Sequence, residues 1–282
     1  MSLFSRFPVK TVIRLTRAWN LLIIVLAQYA ASYCLIADFN LTDWRMFLLS
    51  ASTVLIAAAG YVINDYFDIK IDLINKPGEV VVGQSITRRS AIFLHSFLSA
   101  AGVLTGLVVG WKIAFVNLIS SMLLWWYSSS LKRKPFSGNL AIAALTGVSI
   151  VMLYLIYPNS PVTVLLYAVF AFAITLIREA VKDMEDLEGD RVFDCRTLPI
   201  IWGIAGTKRY IGVLVFLLSI STIVVHVYLH PLPTAYFLSL ILLPLAWFSY
   251  RLIQADTVRE YHELSQWAKV IMLTGILSMF FI

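Results

Sequence analysis

Six aspartates of this chain form two sets with the same spacing. Each set reads D-x-x-D-x-x-x-D; the first contains Asp65, Asp68 and Asp72, and the second contains Asp183, Asp186 and Asp190. On a helix, spacings of three and seven residues keep the carboxylates within about 60° of one face. Like charges at these spacings repel each other and destabilise the helix. A cation therefore has to compensate for each set.

The chemistry of the two sets favours a hard divalent metal ion. Carboxylates at this density, with no Cys or His beside them, suit Mg²⁺, which completes its coordination shell with water and substrate phosphates. We therefore predict that the six aspartates are metal ligands and catalytic residues, that Asn64 orients the first set, and that Mg²⁺ is the cofactor. A diphosphate substrate would explain why so many cations are collected. The alternative, solvated loop acids, is disfavoured by the repeated spacing.

Basic and polar residues near the two sets are candidates for binding the diphosphate or an acceptor. Lys182 is next to Asp183, and Arg178 lies about one helical turn before it. The complete predicted set is Arg17, Asn20, Tyr127, Lys132, Arg133, Arg178 and Lys182. Lys and Arg are expected on the cytoplasmic side of any membrane protein, so what favours a site role for Lys132, Arg178 and Lys182 is their proximity to the acids or to an aromatic and polar stretch.

The elements that position these residues are apolar helices. The chain has 282 residues, of which 60% are hydrophobic and 13% charged, and its apolar blocks are long enough to cross a hydrocarbon core of about 30 Å. The predicted fold class is all-α, a polytopic membrane protein in a single domain, 1–282, with cap loops near 65–90 and 183–209. The nine predicted spans are 19–37, 46–64, 91–110, 112–131, 139–157, 162–181, 210–228, 236–253 and 268–282.

Basic residues orient the predicted bundle. With nine spans, all but two of the 22 Lys and Arg residues lie on the side of the N-terminus, and the exceptions are Arg45 and Lys112. Positive residues collect on the cytoplasmic side of a membrane. We therefore predict a multi-pass protein of the cell (inner) membrane, in contact with membrane lipids, whose N-terminus and active-site loops are cytoplasmic. This orientation accounts for the net charge of +6, so no nucleic-acid partner is predicted.

Four segments resemble the UbiA-type intramembrane prenyltransferases. "NDYFDIKIDLINKP" (64–77) and "REAVKDMEDLEGD" (178–190) are similar to the two aspartate-rich motifs of that family, "YSSSLKR" (127–133) to its Tyr/Lys segment, and "TLP" (197–199) with Gly203 to the stretch after the second motif. The resemblance implies nine helices around a central cavity. It also implies Mg²⁺-dependent transfer of a prenyl group from an isoprenyl diphosphate to an acceptor.

The acceptor is the less determined part of this interpretation. "RAWN" (17–20) and the second motif look most like the digeranylgeranylglyceryl phosphate synthase branch, which implies a geranylgeranyl donor and geranylgeranylglyceryl phosphate as a lipid acceptor. Residues 78–81 depart from the family, since Gly-Glu-Val-Val stands where a basic residue and proline are common. An aromatic acceptor in quinone biosynthesis is the alternative within the family. A secondary transporter is the alternative from another class.

Overall fold

The computed structural model describes residues 9–37, 39–229 and 233–282, and almost all of them are helical. The helices are α1 (Val9–Leu15), α2 (Ala18–Leu35), α3 (Trp44–Asn75), α4 (Arg88–Val109), α5 (Trp111–Ser129), α6 (Ser137–Val151), α7 (Val162–Glu185), α8 (Leu187–Val192), α9 (Leu198–Leu229), α10 (Thr234–Gln254) and α11 (Val258–Ser278). Within these ranges the β-structure is a single bridge, which pairs Val82 with Ile86. The all-α prediction is confirmed.

Eight of the described helices are long and apolar enough to cross a membrane. They are α2, α3, α4, α6 with the 3₁₀ turn that follows it, α7, α9, α10 and α11. The predicted span 112–131 coincides with α5, a helix of 19 residues that does not belong to these eight. The polytopic architecture is confirmed, whereas the count of nine spans is not.

Helix α3 is much longer than a membrane crossing requires. Its 32 residues extend about 48 Å, against a hydrocarbon core of about 30 Å. The predicted span 46–64 covers only part of this helix, which continues through Asn75. The predicted cap loop near 65–90 is therefore wrong for residues 65–75, which are helical because the backbone hydrogen bonds continue past the apolar block. The α-helix ends at its C-cap, Lys76, and a 3₁₀ turn, Pro77–Glu79, follows.

The described residues fall into two compact units. The first contains α1, α2 as far as Gln28, and α3 to α5 with the following turn as far as Lys132. Glycines bring its long helices close together: a Cβ at Gly102 of α4 would lie 2.8 Å from Ile56 of α3, and one at Gly60 of α3 would lie 2.8 Å from Leu124 of α5. These close contacts pack α3 tightly between α4 and α5.

The second unit contains α2 from Tyr29 and the helices α6 to α11. Its core is built on α7, where Ile177, Val181 and Met184 are fully buried against apolar residues of α9, α10 and α11. A glycine again permits close approach, because a Cβ at Gly275 of α11 would lie 2.5 Å from the ring of Phe170. That the two units form one domain stays a prediction.

The second predicted cap loop, 183–209, is mostly helical. Helix α7 ends at Glu185, Asp186 forms the junction, and α8 follows directly. Helix α9 then begins at Leu198 and is interrupted at Gly203, whose φ of 70° lies in the left-handed region. Glycine adopts that conformation without the steric penalty that a Cβ brings. The interruption therefore has a clear cause in the sequence.

Candidate active site

In the first unit, Asp65 is held by an arginine that arrives from the junction of α1 and α2. Arg17 has a φ of 51°, which is uncommon for a residue with a side chain. Its Nη2 donates to Asp65 Oδ1 at 3.0 Å, and its guanidinium lies over the ring of Tyr61. Burial acts to lower the pKa of Arg17, but Asp65, Tyr61 and Asp72 raise it, and the net direction is upward. Arg17 is a fixed positive charge beside the first set.

Asp68, the second member of the first set, forms an ion pair with Lys132. Both side chains are largely buried. Lys132 lies in a 3₁₀ turn that follows α5, so the end of α5 supplies the charge that α3 needs. An ion pair removed from water is held strongly only when both partners are present, because either charge alone would be costly to bury. Sequence reasoning predicted both Arg17 and Lys132 as site residues.

Asn64 directly precedes the first set, and Asp72 is its last member. The Oδ1 atom of Asn64 is buried and has no hydrogen-bond partner among the described residues. A buried carbonyl oxygen in this state is uncommon, so Asn64 Oδ1 is a candidate ligand atom. Asp72 is half-buried on the last turn of α3, and its main-chain carbonyl accepts from Lys76 N where the helix ends.

In the second unit, Asp183 is held by an amide and not by a cation. Asn139 of α6 is buried, and its Nδ2 donates to Asp183 Oδ2 at 2.8 Å. Asn139 was missed from the sequence because it is 44 residues away from Asp183 and no local spacing connects them. The other two members, Asp186 and Asp190, lie at the junction of α7 with α8 and on α8, and Asp190 N donates to the Asp186 carbonyl.

The two basic residues predicted near the second set are both bound to Glu179. Arg178 Nη1 and Lys182 Nζ each lie 2.9 Å from a carboxylate oxygen of this buried glutamate. Glu179 was not predicted as a site residue, although its position between the two cations on α7 was a signal for it. The Nε atom of Arg178 is buried and has no hydrogen-bond partner among the described residues, so this guanidinium retains a donor for a ligand.

A second buried glutamate, Glu185, fixes the end of α7 to α11. Its Oε1 lies 3.0 Å from His262 Nδ1, and its other oxygen accepts from Ser265 Oγ at 3.5 Å. No sequence pattern predicts this contact, because His262 is 77 residues away from Glu185. The contact holds α7 where the chain turns at Asp186, so Glu185 and His262 position the second set without belonging to it.

The three remaining predicted residues are Asn20, Tyr127 and Arg133. Asn20 donates its main-chain N–H to the Arg17 carbonyl at the start of α2. Tyr127 is half-buried on α5. Arg133 is exposed, and its main-chain carbonyl accepts from Arg196 N. Their predicted roles in binding substrate stay predictions.

The donor chemistry of both sets fits a hard divalent cation. Carboxylate oxygens and the unpartnered Oδ1 of Asn64 are ligands that Mg²⁺ accepts. Among the described residues, no three His, Cys, Asp or Glu side chains of either unit are gathered into a metal-ligand group. Instead, Asp65 and Asp68 contact cationic side chains and Asp183 an amide. A metal bound to these carboxylates would therefore share them with Arg17, Lys132 and Asn139.

Helices that cross a membrane, with acid sets at the ends of two of them, define a multi-pass membrane protein with hydrophilic sites at the membrane boundary. A profile of the UbiA prenyltransferase family matches residues 21–270, so the chain belongs to that family. This confirms the resemblance and the prediction of an intramembrane prenyltransferase.

Individual relatives agree with the family. The digeranylgeranylglyceryl phosphate synthase of Methanosphaera stadtmanae is 30% identical over 84% of this chain and 87% of its own. A solved structure from work on digeranylgeranylglyceryl phosphate synthase in membranes has a TM-score of 0.69 and 25% identity, and the match covers 96% of this chain and 97% of that one. A UbiA homologue from Archaeoglobus fulgidus, bound to GPP and Mg²⁺, has a TM-score of 0.68 at 14% identity over 95% and 99% of the two chains.

Proposed function

We propose that this chain transfers a geranylgeranyl group from its diphosphate to the free hydroxyl of geranylgeranylglyceryl phosphate and releases diphosphate. The observation that carries the proposal is the pair of aspartate sets, because each set combines carboxylates that can bind a metal ion with basic side chains nearby. The relative from Methanosphaera stadtmanae, whose name states this activity, supports the choice of acceptor. The homologue that binds GPP and Mg²⁺ supports a diphosphate donor and a divalent cofactor.

The side chains of this chain divide the work between binding and charge compensation. We assign Asp65, Asp68, Asp72, Asp183, Asp186 and Asp190 to holding Mg²⁺, with Asn64 Oδ1 as a further oxygen donor. When bound, the metal would neutralise the diphosphate and act as a Lewis acid on its oxygens. Arg178 and Lys182 have N–H donors for the charge that develops on the departing diphosphate. Arg17 and Lys132 hold the carboxylates of Asp65 and Asp68 in place through ion pairs.

We further propose that the protein lies in the cell membrane and that the ends of α3 and α7 that carry the aspartates face the cytoplasm. The support is the charge asymmetry of the loops, since Arg17, Lys132, Arg178 and Lys182 belong to the basic side. A protease site inserted at Gly78, which is exposed, tests the orientation. Cleavage in inside-out vesicles and protection in right-side-out vesicles is expected, and the reverse pattern would contradict it.

The test of the activity is product analysis with the purified full chain. Labelled geranylgeranyl diphosphate is supplied with geranylgeranylglyceryl phosphate, a hydroxybenzoate and a naphthoate together, in Mg²⁺ and in EDTA. We expect one ether-lipid product by mass spectrometry, stoichiometric diphosphate, and no reaction in chelator. A prenylated aromatic product would replace the acceptor while keeping the reaction. No diphosphate release with any acceptor would refute prenyl transfer itself.

A further inference from the structure

An apolar groove of about 800 Å³ lies between α9 and α10 of the second unit. Ala205, Gly212 and Ser219 of α9 contribute to one wall, and Leu245, Ser249 and Ile253 of α10 to the other. Side chains on its margin, such as Phe216 and Ile253, are exposed. In a membrane-spanning helix pair, an exposed apolar groove faces lipid. None of the predicted site residues lines it.

The groove has one charged end. Lys208 and Arg209 both line it, and Lys208 Nζ donates to the Ile253 carbonyl at 3.2 Å, where α10 is about to end. From Ala205 to Ser219 the α9 wall extends about 21 Å. One leaflet contributes about half of the roughly 30 Å hydrocarbon core. The groove is thus long enough to accommodate a lipid chain of one leaflet together with the start of its headgroup.

The two cations at that end are not equivalent. Lys208 is compensated by Asp256, whose Oδ1 lies 2.9 Å from its Nζ. Arg209 is exposed, and the hydrogen bond that the structure gives it runs from Nε to the Ala205 carbonyl of the same helix at 3.4 Å. The terminal nitrogens of this guanidinium point to no acidic partner among the described residues. The charged end therefore carries a net positive charge that Arg209 provides.

We propose that this groove binds one anionic membrane lipid, with a hydrocarbon chain along α9 and α10 and its phosphate against Arg209. The apolar walls pack against the hydrocarbon chain of the lipid, and the guanidinium of Arg209 forms charge-assisted hydrogen bonds with its phosphate oxygens. The site does not depend on the reaction proposed above, since it shares no residue with the aspartate sets.

Native mass spectrometry of the purified full chain in detergent tests the proposal. The protein is mixed with equal amounts of dioleoylphosphatidylglycerol and dioleoylphosphatidylcholine, which differ in mass. One phosphatidylglycerol should be retained in preference to phosphatidylcholine by about fivefold, the effect expected of one basic residue at an anionic membrane surface. Excess inorganic phosphate should not displace it. Equal retention of the two lipids, or displacement by phosphate, would refute the proposal.

Two variants separate the groove from the rest of the surface. Arg209→Gln should abolish the preference for phosphatidylglycerol, whereas Arg259→Gln, which removes another exposed arginine paired with Glu263, should preserve it. A Cβ at Gly212 meets no atom within 4 Å, so Gly212→Leu fills the groove without a clash near the backbone and should prevent retention of either lipid, while Gly212→Ala should not. If Gly212→Leu fails to fold, Arg209→Gln decides alone, and an unchanged preference in that variant overturns the assignment.

Discussion

In the first unit the aspartate set lies on the unbroken last turns of α3, whereas in the second unit the helix is interrupted at Asp186. The first set is compensated directly, since Arg17 and Lys132 contact two of its carboxylates. In the second unit the nearby cations are bound to Glu179 instead. The two aspartate sets therefore have the same spacing in the sequence but different electrostatic environments.

This difference has a consequence for metal binding. Around the second set, Glu179 adds one buried carboxylate to the three aspartates, and the cations bound to it are Arg178 and Lys182. Around the first set, three aspartates are accompanied by two cations. The excess of negative charge is larger in the second unit, so we expect the second set to bind Mg²⁺ more tightly than the first.

The largest expected effect is on activity, and it tests both sets at once. Asp68→Asn and Asp186→Asn each keep the side-chain volume and remove a charge, so we predict that each lowers kcat at least about 100-fold. Thermal unfolding with and without Mg²⁺ then distinguishes them: Asp186→Asn should lose more of the Mg²⁺-dependent rise in Tm. Equal losses would remove the difference inferred between the sets, and normal turnover by either variant would remove that residue from catalysis.

The next effect is on stability and concerns the buried ion pair of the first set. Lys132→Met leaves Asp68 buried without this partner, and we predict a loss of about 3–5 kcal/mol in the free energy of unfolding in detergent. The double variant Lys132→Met with Asp68→Leu removes both charges and should recover most of that loss. Equilibrium denaturation measures both. A double variant as unstable as Lys132→Met would show that the cost comes from packing and not from the unpaired carboxylate.

A smaller loss is expected for the corresponding contact of the second set. Asn139→Ala removes the amide that donates to Asp183 and leaves a carboxylate oxygen without that hydrogen bond, at a cost of about 1.5–3 kcal/mol. Denaturation of this variant beside Lys132→Met compares an amide partner with a cationic one. Asn159→Ala, a change in the loop before α7, is the control and should change stability little. A larger loss for Asn139→Ala than for Lys132→Met would reverse the comparison.

Much of this arrangement could be predicted because it is encoded locally. The membrane spans follow from apolar blocks, and Arg17, Lys132, Arg178 and Lys182 followed from charge beside a motif. What could not be predicted depends on pairs distant in sequence, such as Asn139 with Asp183, for which no periodicity exists. The extension of α3 through Asn75 was missed for another reason: the length of an apolar block measures the membrane crossing and not the helix.

The smallest effect separates the two cations of the first set. The Arg17 side chain is 37% exposed and that of Lys132 is 12% exposed, and ion pairs in contact with water contribute about 1 kcal/mol or less. Arg17→Gln should therefore lower the free energy of unfolding by no more than that, and the loss should shrink as salt rises, because screening weakens the pair in the wild type. The loss in Lys132→Met should change little with salt. Denaturation at low and high ionic strength compares the two, and a salt-independent loss in Arg17→Gln would mean that its guanidinium acts through the ring of Tyr61 and not through Asp65.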